Sequence, residues 1–287
     1  MNRPRRLRAG PVRQFGAADA PIEIGHVRVG RLRLRYARSH GSGVPLLLCN
    51  GIGANLEMTL PLVRALRGTP VVLFDLPGVG GSPAGWFWPS FAAYARLAVG
   101  LLDAIGIEGR FTVAGVSWGG GVAQQIARDY AGRVERLVLM ATTFGPVMLP
   151  GKPAALARML TPQRYVSRGY MARNAGILYG GAMLNRPDLA IALARSTHTP
   201  SFLAYGQQLL AAMQFTSLFW LHKIRCPALV LAGSDDPIIR PVNARILAAR
   251  LGDAHLHVLP NGGHLFMFTD PDATAALIAR FLEPDRR

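Results

Sequence analysis

What most restricts this chain is a series of short apolar runs, each followed by a segment of helical periodicity: Val44 to Cys49, Pro70 to Phe74, Phe111 to Val116 and Val134 to Met140. A strand without polar positions must be covered on both faces. Such runs alternating with helices therefore specify a mostly parallel central sheet between two helical layers. The helices read at Leu56 to Leu66, at Phe91 to Ile105 with Ser90 as its cap, and at Gly121 to Tyr130. Upstream, Ile22 to Tyr36 alternates in polarity around Gly30, the pattern of a hairpin.

The alternation stops after the sixth strand. From 144 to 224 the pattern is helical and punctuated by Pro150, Pro153, Pro162, Pro187 and Pro200; strands resume at Ala228 to Ala232 and His255 to Leu259, with helices at Pro241 to Leu251 and Ala273 to Leu282. We therefore expect a core built from residues 21–143 and 225–287, a helical cap at 144–224, and an Arg-rich extension at 1–20. A cap in that position would cover the C-terminal edge of the sheet, where open α/β sheets bind ligands.

Half of the residues are hydrophobic, which excludes a disordered chain. The net charge of +16 raises the prospect of an acidic partner. Yet the only lysines are Lys152 and Lys223, and the arginines are scattered outside the Arg3 to Arg13 tail, so nucleic acid is not expected. The longest apolar stretch, Phe91 to Ile107, is broken by Arg96 and Asp103, and the basic N-terminus is not followed by an apolar segment. The expectation is a cytoplasmic protein without a transmembrane segment. Cys49 and Cys226 are too few for a disulfide framework and read as buried thiols.

The chemistry concentrates at Gly115-Val116-Ser117-Trp118-Gly119, where a strand meets a helix. A nucleophile on so sharp a turn needs small flanking residues, and the helix N-terminus directs its positive end at the reacting centre. A serine hydroxyl needs a histidine to take its proton and a carboxylate to hold that histidine in the right tautomer, in the chain order Ser, acid, His. Gly233-Ser234-Asp235-Asp236 supplies the acid, with Asp236 preferred by the Gly-x-x-Asp spacing and Asp235 read as a turn residue; Gly262-Gly263-His264 supplies the base. His26 and His40 precede the serine, His255 and His257 alternate within a strand, and only His264 follows a glycine pair beyond the last strand. The backbone N–H groups of Ile52, in Asn50-Gly51-Ile52-Gly53-Ala54-Asn55, and of Trp118 are expected to form the oxyanion hole. His198, His222 and Trp220 of the cap are candidate substrate contacts, and the cap's Met and aromatic side chains suit an aliphatic ligand. The Asp75 to Ser82 loop lacks the ending of a phosphate loop, no cluster has metal-ligand spacing, and no metal or cofactor is expected.

These features resemble the α/β-hydrolase superfamily, and within it the intracellular medium-chain-length polyhydroxyalkanoate depolymerases. The resemblance runs from about Ile22 to Leu282 and rests on Asn50 to Asn55, Gly115 to Gly120, Pro150-Gly151-Lys152-Pro153, Tyr179-Gly180-Gly181, Trp220 to Ile224 and Gly263-His264-Leu265-Phe266. It implies an α/β-hydrolase fold, nucleophile, acid and base at Ser117, Asp236 and His264, and hydrolysis of storage polyester at the surface of intracellular granules. Other capped hydrolases, acting on small soluble esters or on carbon-carbon bonds of ring-fission products, would use the same residues. A non-catalytic granule-binding or nucleic-acid-binding protein is the alternative of another class. The extension before Ala17 departs from the family pattern.

Overall fold

The computed structural model describes residues 21–159 and 163–283; the Arg-rich extension expected at 1–20 lies outside them. One eight-stranded sheet has the order β1-β2-β4-β3-β5-β6-β7-β8. Strands β1 (Glu23–Val29) and β2 (Leu32–Arg38) form the hairpin, and β2 pairs antiparallel with β4 (Val71–Phe74). The rest is parallel: β4 beside β3 (Leu46–Cys49), then β5 (Phe111–Val116), β6 (Val134–Met140), β7 (Ala228–Gly233) and β8 (Ala254–Leu259).

The unbroken apolar runs are explained by two cores. Leu47, Val113, Leu139 and Val230 face helices α2 (Phe91–Ala104), α3 (Trp118–Asp129) and α9 (Pro241–Arg250). Their neighbours Leu46, Leu48, Ala114, Val138 and Leu229 face α1 (Leu60–Ala65) and α11 (Pro271–Leu282). Each fully buried aliphatic side chain contributes about 1.5–3 kcal/mol, so the sheet is rigid at the strand ends that carry the loops. Ser90 caps α2, its Oγ accepting from Ala93 N at 3.1 Å.

Three local differences from the sequence reading have physical causes. The helix expected at Leu56 to Leu66 is a 3-10 turn (Leu56–Met58) followed by α1, because Pro61 in the first turn of α1 cannot continue a preceding helix. Helix α3 begins at Trp118 rather than Gly121, since glycines carry no apolar periodicity. A single turn, α10 (Phe266–Thr269), was too short to show one.

Between β6 and β7 lie α4 (Pro153–Met159), α5 (Gln163–Val166), α6 (Arg168–Tyr179), α7 (Pro187–Ser196) and α8 (Phe202–Met213). Met171, Leu178, Met183 and Leu193 form a separate core there, completed by Met58 and by Ile238 and Ile239 from core loops. Cys49 and Cys226 are free thiols; burial pushes the first up to about 12 and the second up to about 11. Among the described residues no helix is long and apolar enough to cross a membrane.

Candidate active site

Ser117 sits between the last residue of β5 and the first of α3 with φ 52°, a left-handed conformation that costs a non-glycine residue about 1–3 kcal/mol. Its backbone is held there from both sides. Ser117 N donates to Met140 O at 2.9 Å, and Ser117 O accepts from Gly120 N at 2.9 Å and from Thr142 Oγ1 at 2.6 Å. The flanking glycines are a steric necessity: a Cβ on Gly115 would lie 2.3 Å from Gly119 O, and one on Gly119 would lie 2.3 Å from Cys49 O. Both obstacles are backbone and cannot swing away.

Asp236 and His264 approach from the loops after β7 and β8. His264 Nδ1 donates to Asp236 Oδ2 at 2.7 Å, and Ser117 Oγ stands 3.0 Å from His264 Nε2. An ionised carboxylate only accepts, so it holds the proton on Nδ1 and leaves Nε2 as the acceptor for the serine hydroxyl. The Asp236 side chain is fully buried, with Oδ1 accepting from Ile238 N at 2.8 Å and Ile239 N at 2.9 Å. Asp235, by contrast, is exposed and accepts from the Ser234 hydroxyl beside it. Tyr179, at the end of α6, stacks on the His264 ring at 6.4 Å and accepts from His264 N at 2.6 Å through its carbonyl.

The two backbone donors expected for an oxyanion, Ile52 N–H and Trp118 N–H, have no acceptor among the described residues. The loop carrying Ile52 is fixed from several directions. Gly53 N donates to Gln208 Oε1 at 2.8 Å, and the Trp118 indole donates to the carbonyl of the same Gln208 at 2.9 Å, so one residue of α8 ties both sides together. Tyr165 donates its hydroxyl to Ile52 O. Below the loop, Asp75 accepts from Leu56 N at 2.8 Å, Gly81 N at 2.9 Å and Arg35 Nη1 at 3.1 Å; burial still raises its pKa. The Asp75 to Ser82 loop thus braces the site.

One cavity opens onto Ser117 and His264, walled on the core side by Asn50, Ile52 and Met267. The helices between β6 and β7 contribute Met159, Arg164, Tyr165, Tyr179 and Leu193. His198, His222 and Trp220 are not among the residues lining it. His198 is half-exposed near Glu57, Trp220 packs on Phe215 and beneath Arg128, and His222 is exposed in the turn Leu221–Lys223. The sequence reading missed Arg164 and Gln208. Nothing in the sequence separates Arg164 from the chain's many other arginines, and Gln208 is concealed in an apolar helical stretch. No group of three or more His, Cys, Asp or Glu that could hold a metal occurs among the described residues.

Comparison with known proteins agrees with this architecture. The alpha/beta hydrolase family profile matches residues 46–277. The chain is 45% identical over 244 residues to a poly(3-hydroxyalkanoate) depolymerase from Ectopseudomonas oleovorans, covering 85% of this chain and 86% of that protein. Among solved structures, the enol-lactonase from Burkholderia xenovorans LB400 superposes with TM-score 0.77 at 23% identity, covering 90% of this chain and 99% of that one. A hydrolase from Pseudomonas aeruginosa PA01 gives 0.75 at 26% identity, over 91% and 98%. The unbroken apolar strands, the serine on its strained turn and the extent of these matches lead to one conclusion: the chain belongs to the alpha/beta hydrolase family.

Proposed function

We propose that this protein is a serine ester hydrolase that cleaves the ester bonds of medium-chain-length poly(3-hydroxyalkanoate). The hydrogen-bonded chain from Ser117 through His264 to Asp236 carries the chemical part of the reading, and the 45% identity to the depolymerase supports the substrate. Ser117 Oγ attacks the ester carbonyl while His264 Nε2 takes its proton. The developing oxyanion is met by Ile52 N–H and Trp118 N–H, and Asp236 stabilises the imidazolium. His264 then protonates the leaving hydroxyl, and an acyl-enzyme remains on Ser117. Water, deprotonated by His264, then releases the acyl part from Ser117 as a free acid.

Residues 144–224 act in this reading as the cap over the site. We place the enzyme in the cytoplasm at the granule surface. Supporting that placement, α8 carries no charged residue and leaves Phe202 76% and Met213 75% exposed, with Leu203 and Leu210 exposed along the same helix. Apolar side chains in such a row favour adsorption to a hydrophobic surface.

The test is incubation of the purified protein with native medium-chain and short-chain polyester granules, with the released acids identified by mass. Medium-chain 3-hydroxyacids released by the wild type and not by Ser117→Ala are expected. Hydrolysis confined to small soluble esters would overturn the substrate assignment, and normal turnover by Ser117→Ala would overturn the mechanism.

A further inference from the structure

Arg164 is the feature of this site that the triad leaves unexplained. It is 1% exposed, lies on α5 and lines the same cavity as Ser117 and His264. A buried guanidinium is ordinarily paired with a carboxylate, because removing an unpaired charge from water is costly. Among the described residues Arg164 has no acidic partner. Its Nη2 donates to the Tyr205 hydroxyl at 3.1 Å and its Nη1 contacts the Met159 thioether sulfur and reaches Met159 O at 3.4 Å, while the rings of Tyr165 and Tyr205 lie 4.7 and 5.9 Å from the guanidinium carbon. Nε is buried with no acceptor among the described residues. Neutral oxygens, a thioether sulfur and aromatic faces hold the cation in place without neutralising it.

The position of α5 is equally informative. Tyr165, the next residue, bonds to the carbonyl of Ile52, so the helix that carries Arg164 is fastened onto the loop expected to hold the oxyanion. A cation is thereby kept in the wall of the cavity that Ser117 and His264 also line.

We infer that Arg164 is a binding site for a substrate carboxylate, and that the enzyme takes polyester chains by their carboxyl terminus. The inference rests on the polyester reading above. In a chain of 3-hydroxyacyl units the acyl side of every ester leads towards the free hydroxyl end, and the alcohol side leads towards the free carboxylate. A carboxylate held at Arg164 is therefore attached to the leaving group. Where the leaving group is the terminal unit, that carboxylate is separated from the ester oxygen by two carbons. Attack by Ser117 then breaks the last ester bond, His264 gives its proton to the departing oxygen, one 3-hydroxyalkanoate leaves, and water frees the shortened chain from Ser117 to complete the turnover. The guanidinium matches a carboxylate with paired N–H donors, a fit that neutral ester oxygens do not reproduce.

The test compares a trimer of a medium-chain 3-hydroxyacid carrying a free carboxylate with the same trimer capped as its methyl ester. Wild-type enzyme should show kcat/KM higher for the free acid by about 10- to 100-fold, the range expected for a charge-assisted pair, with the difference mainly in KM. In Arg164→Met the ratio should fall towards one, and Arg164→Lys should restore part of it. Equal hydrolysis of free and capped trimers by the wild type overturns the carboxylate site while leaving the polyester reading intact; this comparison needs no variant to fold. A full preference persisting in Arg164→Met also overturns it. Failure to cleave either trimer, with soluble esters still turned over, overturns the polyester reading and the inference together.

Discussion

Replacing Asp236 by Asn changes one atom and inverts the role of the histidine. The carboxylate accepts at both ends: Oδ1 from the N–H groups of Ile238 and Ile239, and Oδ2 from His264 Nδ1. Asn has only one acceptor oxygen. Two backbone donors compete for it against one imidazole donor, so the oxygen stays with Ile238 and Ile239 and the amide NH2 turns to His264. Nδ1 must then accept, the proton moves to Nε2, and Nε2 can no longer receive the proton of Ser117. Such a tautomer inversion in a serine hydrolase lowers kcat by about 10⁴, or about 5.5 kcal/mol of lost transition-state stabilisation at 1.36 kcal/mol per decade. The assay is hydrolysis of a soluble nitrophenyl octanoate from pH 6 to 9, with thermal unfolding to establish that the variant is folded. Asp235→Asn is the control: that side chain is exposed and bonds to its neighbour's hydroxyl, so its kcat should change less than about twofold. A folded Asp236→Asn variant that loses less than tenfold in kcat, or an Asp235→Asn variant that loses more than Asp236→Asn, would refute the reasoning.

Gly119→Ala should destabilise the fold by about 3 kcal/mol or more, because the added methyl would meet Cys49 O at 2.3 Å, a backbone atom that cannot swing away; chemical denaturation reads the loss. Gln208→Leu keeps the volume of the side chain but leaves the buried Gly53 N–H without its acceptor, a loss of about 1–3 kcal/mol in stability. Its kcat on a soluble ester should fall while KM moves little, and an unchanged kcat would show that the Ile52 loop holds its shape without α8. His257 is kept below its ordinary value of 6.5 by burial, so the unfolded chain binds the extra proton first. Stability from this residue is complete above about pH 6.5 and is lost as the pH falls towards the lower folded value; His257→Gln should flatten that part of the denaturation-against-pH curve.

The parts of this molecule that the sequence makes legible are those where one local rule acts alone. Continuous apolar runs can only be strands covered twice, and Val113 and Ala114 do face opposite cores. Ser117, Asp236 and His264 stand out because each follows a strand, in the chain order expected on this scaffold. The inserted helices obey no comparable rule. Prolines stand at the starts of α4 and α7 and in the segments between them, so no continuous apolar stripe runs along the region to mark the face that turns inward. His198, His222 and Trp220 attract notice by residue type alone, and the structure puts them away from the cavity. Arg164 and Gln208 carry no sequence signal, since their importance comes from what lies around them after folding: a buried charge without a carboxylate among the described residues, and a side-chain amide that accepts from the loop carrying Ile52.

Several motifs between β6 and β7 reach the loops that carry the site. Lys152 N, in Pro150-Gly151-Lys152-Pro153, donates to Pro237 O at 2.7 Å, next to the buried Asp236. In Tyr179-Gly180-Gly181, a Cβ on Gly180 would lie 2.3 Å from Asp235 O and one on Gly181 would lie 2.2 Å from Gly263 N, so only glycine lets this turn rest against both the acid loop and the histidine loop. Gln208 completes the set on the Ile52 loop and the indole of Trp118. Each contact joins the insertion to a loop that carries a member of the site, and none of them involves a reacting atom. A movement of the inserted helices is therefore coupled mechanically to the geometry of Asp236, His264 and Ile52. Substitutions that loosen these contacts should show their effect in kcat, through misplaced catalytic groups, before they show it in the stability of the sheet beneath.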